Sequence, residues 1–154
     1  MLSWMMMTAT GEIDMINKLP DWEERYHAFM IENKDRDFQW GEWDCVKFAD
    51  AAFKAMTGND LIPSELNWHD EESAQKAIKS YGNTLLKSME KGTKLKGLSV
   101  IDKQYITKGD IVVFKVEGKQ VTGVCDGYAI ISPSDGGFTF RENDLAIKVF
   151  RING

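Results

Sequence analysis

The stretch from Asp44 to Thr57 constrains the fold more than any other part of the chain. Val46, Phe48, Ala49, Ala52, Phe53 and Met56 cover almost the whole circumference of a helix drawn through it. A helix apolar nearly all round cannot lie on a surface and must sit at the centre of a domain. Gly58 follows directly and is a good stop, because a helix commonly ends on a glycine in the left-handed region. The rest of the chain therefore has to wrap this element.

Two kinds of periodicity are available for the wrapping. Before and just after the buried segment the pattern is helical. Asp21 followed by Glu24 resembles a capping box, and Trp22, Tyr26, Phe29 and Met30 fall on one face. Polar residues from Asn33 to Arg36 break that helix, and the aromatic loop Asp37 to Asp44 turns at Gly41. Residues 70–81 predict a third helix ending at Gly82, and 83–91 a short fourth one ending at Gly92. From there the period becomes two. Strands are predicted over 110–116, 120–125, 128–132, 137–140 and 146–152, with a hairpin turn at Glu117 and Gly118. Helices followed by a meander of strands define an α+β class, with an antiparallel sheet or half-barrel packed on the buried helix. One domain is expected over 20–154, preceded by an N-terminal arm over 1–19.

The chain has 154 residues, enough for a core without metal or disulfide staples. Its net charge of −5 is spread along the sequence, which disfavours a nucleic-acid or anionic-membrane surface. The basic bias of residues 87–96 is interrupted by Glu90 and reads as a solvated face. No apolar run reaches the roughly 20 residues that span a bilayer. Met1 to Thr8 lacks the basic region and apolar stretch of a Sec signal peptide, so synthesis in the cytoplasm without Sec export is expected. Leu2, Trp4, Met5, Met6 and Met7 read as a frayed end, as a segment upstream of a start at Met7, or as an arm that docks on a partner. Cys45 and Cys125 form no Cys-x-x-Cys pair, and His27 and His69 stand near neither in sequence. Neither a zinc site, nor a disulfide, nor a cofactor is called for.

Cys45 is the residue with chemistry to offer. It lies in the first turn of the buried helix, where free N–H groups and the helix dipole favour a thiolate. A thiolate attacks carbonyl carbon, so a cysteine nucleophile belongs here; a small buried structural residue is the alternative. Asp44 reads as the helix N-cap, and its charge opposes ionisation of the thiol.

The phrase Phe38-x-Trp40-Gly41-x-x-Asp44-Cys45-x-x-Phe48-Ala49, continuing to Ala55-Met56-Thr57-Gly58, resembles the cysteine-helix motif of NlpC-type papain-like cysteine peptidases. It is closer to a group of uncharacterised phage and prophage domains related to them, often encoded among tail genes. Lys108-Gly109-Asp110-Ile111-Val112-Val113-Phe114 resembles the Gly-Asp strand of that family, and Thr122 to Gly127 falls where it has a His-Val-Gly-Ile strand. The likeness spans roughly residues 21–152. It implies a papain-like fold with Cys45 in the nucleophile position, Val121 where the family has its general-base histidine, and a third polar residue near Ser132. Valine takes no proton from a thiol, and no histidine follows His69. His69, beside Asp70, is the substitute base to weigh, ahead of His27. Trp40, Trp43 and Asp44 are expected to line the cleft.

The resemblance implies a structural component of a phage particle, at the tail tip, in the baseplate or in tail assembly, built on a degenerate peptidase domain. It would be made in the host cytoplasm, reside in the virion and contact other tail proteins, through the arm among other surfaces. The alternatives are an active cysteine hydrolase of peptidoglycan and a small-ligand binding domain.

Overall fold

The computed structural model describes residues 15–154. Four helices, α1 (Trp22–Asn33), α2 (Cys45–Thr57), α3 (Glu71–Gly82) and α4 (Leu85–Leu95), precede a six-stranded sheet. Its strands are β1 (Ser99–Ile101), β2 (Ile111–Val116), β3 (Lys119–Cys125), β4 (Ile130–Ser134), β5 (Gly137–Arg141) and β6 (Ala146–Arg151). The order is β1-β6-β2-β3-β4-β5 and every pairing is antiparallel, so the fold is α+β. Strands β2 to β5 form a meander; β6 crosses back to pair with β2 and brings β1 onto its far side.

Helix α2 is central, as its sequence demands. Phe48, Ala49, Ala52, Phe53 and Met56 are fully buried, packed with Ile111, Val113, Val124, Ile131 and Phe150 from one face of the sheet. Burying each large side chain of this set contributes about 1.5–3 kcal/mol. Gly58 ends the helix at φ +79°, its N–H bonded to the Lys54 carbonyl. The other face of the sheet carries its own cluster of Val112, Phe114, Cys125, Ile130, Ala146 and Val149. Strand β2 is thus buried on both sides, which is why it reads as an unbroken apolar run.

The Gly-Asp pair before β2 is a structural fastening. Gly109 adopts φ +91° with the Trp22 ring against it, leaving no room for a side chain. The fully buried Asp110 carboxylate accepts from Arg151 Nε at 3.0 Å and Nη2 at 2.9 Å, and from the Thr107 N–H at 2.9 Å. One carboxylate therefore joins the start of β2 to the end of β6.

Several local expectations need correction. Asp21 does not cap α1 through its side chain; its carboxylate is taken by Arg25 at 2.8 Å. Helix α4 runs through Gly92 to Leu95, because that glycine lies inside the helix against Tyr81, and the reversal waits for Gly97 at φ +79°. Strand β4 starts at Ile130 rather than 128, since Asp126 Oδ1 holds the Tyr128 and Ala129 N–H groups in a turn, both at 2.8 Å. Strand β1 was not expected. It has three residues, no buried face of its own, and exists by pairing with β6. The domain also begins earlier than residue 20. Ile16 is buried, its N–H bonds to the Lys96 carbonyl, and Asn17 bridges Asn153. The remainder of the expected arm, residues 1–14, lies outside the described residues.

Candidate functional site

A cleft of about 590 Å³ opens at the N-terminus of α2. Cys45 and Val46 form its floor, Trp40 and Trp68 one wall, and Ala74, Gln75 and Ile78 of α3 another. The β2–β3 hairpin closes the far side with Lys115, Lys119 and Gln120. Glu117 and Gly118 both take positive φ there (51° and 79°), the two-residue turn their sequence called for.

Asp44 organises the floor. Its buried side chain caps α2 by accepting the Lys47 N–H at 2.9 Å, and it accepts the Gly41 N–H at 2.8 Å and Trp68 Nε1 at 2.6 Å. Three donors on one carboxylate fix the aromatic loop, the helix start and the cleft wall together. Lys47 lies over the Trp68 ring, 4.7 Å from its centroid, and completes that wall. Gly41, at φ +82°, is required because a Cβ would strike the Trp68 carbonyl oxygen.

The Cys45 thiol is held toward its neutral form. Desolvation pushes its thiol up to about 11, and the Asp44 charge adds to this. The main-chain N–H groups of Thr122, Val46 and Cys45 pull the other way and lose. Desolvation at the foot of the cleft thus outweighs the pull of the helix N-terminus.

The residues facing α2 from β3 are set by strand parity. Val124 packs in the α2 cluster, so Thr122 and Gln120, two and four positions earlier, share its face. Val121 packs with the opposite cluster and points away from Cys45. The position that the resemblance sets at the family's histidine therefore faces away from Cys45. Thr122, fully buried, is the side chain next to α2, and its hydroxyl finds no hydrogen-bond partner.

The other expected residues divide. Trp40, Asp44 and Cys45 line the cleft together. Trp43 does not: it is 1% exposed and packs among Phe29, Phe48 and Phe138, because a half-apolar loop buries its largest ring first. Ser132 is on the far face of β4, its hydroxyl 2.9 Å from that of Thr139. His69 is exposed, its ring 3.5 Å from Asp70 and from the Ser73 hydroxyl, and is not a lining residue. His27 lies on a separate groove between α1 and β4–β5, with Nε2 3.1 Å from Lys108 Nζ. Trp68, Lys79, Lys115, Lys119 and Gln120 were missed. Only the tight hairpin turn hinted that Lys115 and Lys119 share an end of the sheet.

Among the described residues no group of three or more His, Cys, Asp and Glu could hold a metal, and no helix is long and apolar enough to cross a membrane.

A cysteine-bearing core helix on an antiparallel sheet, with an open cleft at its first turn, defines the class as an α+β cleft domain. The chain belongs to the family described as Domain of unknown function (DUF6950), which matches residues 17–152. No curated protein matches it.

Proposed function

We propose that this chain is a catalytically silent domain of the papain-like, NlpC-type kind that serves as a structural component of a phage particle, at the tail tip or in tail assembly. The observation that carries the silent half is the surroundings of Cys45. The side chains of β3 on its face are Gln120, Thr122 and Val124, and both histidines of the chain are exposed elsewhere. A thiol raised to about 11, with no imidazole facing it among the described residues, supports a domain that does not cut amides at neutral pH. The particle half rests on the resemblance of residues 38–58 and 108–114 to tail-associated phage domains.

Iodoacetamide labelling of Cys45 as a function of pH, in a Cys125→Ser background, tests the silent half. Labelling that stays slow until the pH passes the ordinary thiol range of about 8.5 is expected. Fast labelling near pH ~6 overturns it. The particle half is tested by looking for the chain in purified particles; its confinement to the lysate would count against it.

A second reading is favoured by a specific observation. The cleft is open and carries converging polar groups, Gln75, Asn83, Thr84 and Gln120, over an apolar floor, which is how ligand sites are built. The domain would then bind a ligand through this cleft.

A further inference from the structure

We propose that strand β5 is a self-pairing edge, through which two copies of this chain join their sheets in an antiparallel, two-fold contact. The edge shares no residue with the Cys45 cleft.

Among the described residues no strand pairs beyond β5, so it ends the sheet. Its register against β4 fixes which main-chain groups face outward. The turn at Asp135 and Gly136 sets Ser134 opposite Gly137, and the pairing runs without a shift to Ile130 opposite Arg141. In an antiparallel ladder, opposed residues alternate between exchanging hydrogen bonds and not. Pro133 has no N–H to give, so its pair with Phe138 is one that does not, and Ile131 with Phe140 is the next. The N–H and C=O groups of Phe138 and Phe140 therefore point away from β4, and among the described residues no turn or loop takes them up. The devices that commonly blunt a sheet edge are missing, since β5 has no lysine, no proline and no bulge. Phe140 is 63% exposed, and Tyr128 and Ile31, at 92% and 68%, line the groove beside it. An exposed apolar strip of this kind marks an interface.

The strip is complementary to itself, which is why the partner is a second copy. With β5 laid antiparallel on its counterpart and the two-fold axis at Thr139, Phe138 stands opposite Phe140 of the second copy. Each such pair exchanges both main-chain hydrogen bonds, using the outward groups of both strands. The rings meet across the seam on the α1 side of the sheet, a favourable cross-strand pair. On the other side Arg141 comes opposite Gly137 of the second copy, which has no side chain to obstruct it, and diagonally beside its Asp135. Both charged side chains are exposed. The turn that carries Asp135 also holds Asp37, whose Oδ1 accepts the Gly136 N–H at 2.6 Å, so the guanidinium meets an acidic corner. Two-fold symmetry makes each of these contacts twice. A foreign strand would have to match this order of ring, small residue and charge, whereas β5 and its turn already carry it.

The test is sedimentation equilibrium of the full chain from about 5 to about 500 μM, since an edge pairing gives a small interface that separates on dilution. The mass is expected to rise from that of one chain, 17.5 kDa, to that of two and to stop there. Phe140→Pro removes an outward donor and no bond to β4, so it should melt as a folded domain and stay monomeric. Arg141→Asp and Asp135→Arg should each weaken the dimer about fivefold or more, and the two combined should restore it to within about twofold. Hydrogen exchange at the Phe138 and Phe140 amides should slow in the concentrated sample. A monomer at every concentration, growth past the dimer, or a dimer that survives Phe140→Pro overturns the proposal. So does a charge-swapped double variant that fails to pair again, or a dimer in which those two amides exchange as fast as in the monomer.

Discussion

Trp68 Nε1 donates to the buried carboxylate of Asp44 at 2.6 Å, so the cleft wall is pinned to the cap of the helix that carries Cys45. Asp44→Ala removes the cap and two further charge-assisted bonds at once, and a cap alone is worth about 1 kcal/mol. A loss of about 3 kcal/mol in urea unfolding is expected, with a smaller loss for Asp44→Asn, which keeps one acceptor.

Gly41 should tolerate no side chain. Its positive φ and the Trp68 carbonyl behind it each penalise a Cβ. Gly41→Ala is expected to cost about 1–3 kcal/mol. Gly118→Ala shares the positive φ but has open space around it, so its cost should be smaller; paired thermal melts measure the difference.

The raised Cys45 pKa has a consequence for stability at high pH. The folded thiol resists ionisation to about 11, whereas an ordinary thiol ionises near 9. Its contribution is therefore complete below the unfolded value and is lost as pH rises from that value through the folded one. Cys45→Ala should flatten the fall in stability over that interval, as read by denaturant midpoints in the Cys125→Ser background.

Strand parity makes a sharp contrast between neighbouring positions. A histidine in place of Thr122 would face α2, and one in place of Val121 would face the opposite cluster. Thr122→His is expected to speed Cys45 alkylation at pH ~7, whereas Val121→His does not. Near-ultraviolet circular dichroism confirms that both variants keep their core. Equal rates in the two would show that the register is wrong.

Asp110→Asn should be among the costlier polar substitutions. It leaves Arg151 facing a neutral group on a carboxylate site that is fully buried. Breaking such a pair costs about 3–5 kcal/mol when fully desolvated, and Arg151 is partly exposed. A loss of about 3 kcal/mol, near 10 °C in Tm, is the expected result.

The α+β class, the buried helix with its Asp44 cap and Gly58 stop, and the hairpin at Glu117 and Gly118 were legible in the sequence. Each depends on short-range causes: an all-round apolar period, a side chain bonding to the next turn's N–H, and glycines able to take positive φ. Cys45 was legible for the same reason, since its place in the first turn follows from the cap before it.

What the tertiary structure decided is everything that depends on which face meets which. A strand alternates its side chains, so a shift of one residue exchanges core for far side, and it is Thr122 rather than its neighbour Val121 that faces α2. Trp43 and Trp68 are alike as residues; one entered the core among Phe29, Phe48 and Phe138, and the other was drawn to the cleft by the Asp44 carboxylate. Strand β1 formed only because β6 offered an edge, and Gln75 of α3 and Gln120 of β3 line one cleft only because α3 and the hairpin flank it. Local sequence determines elements through short-range energies. Their pairing is chosen by burial summed over residues far apart in the chain, which no local pattern records.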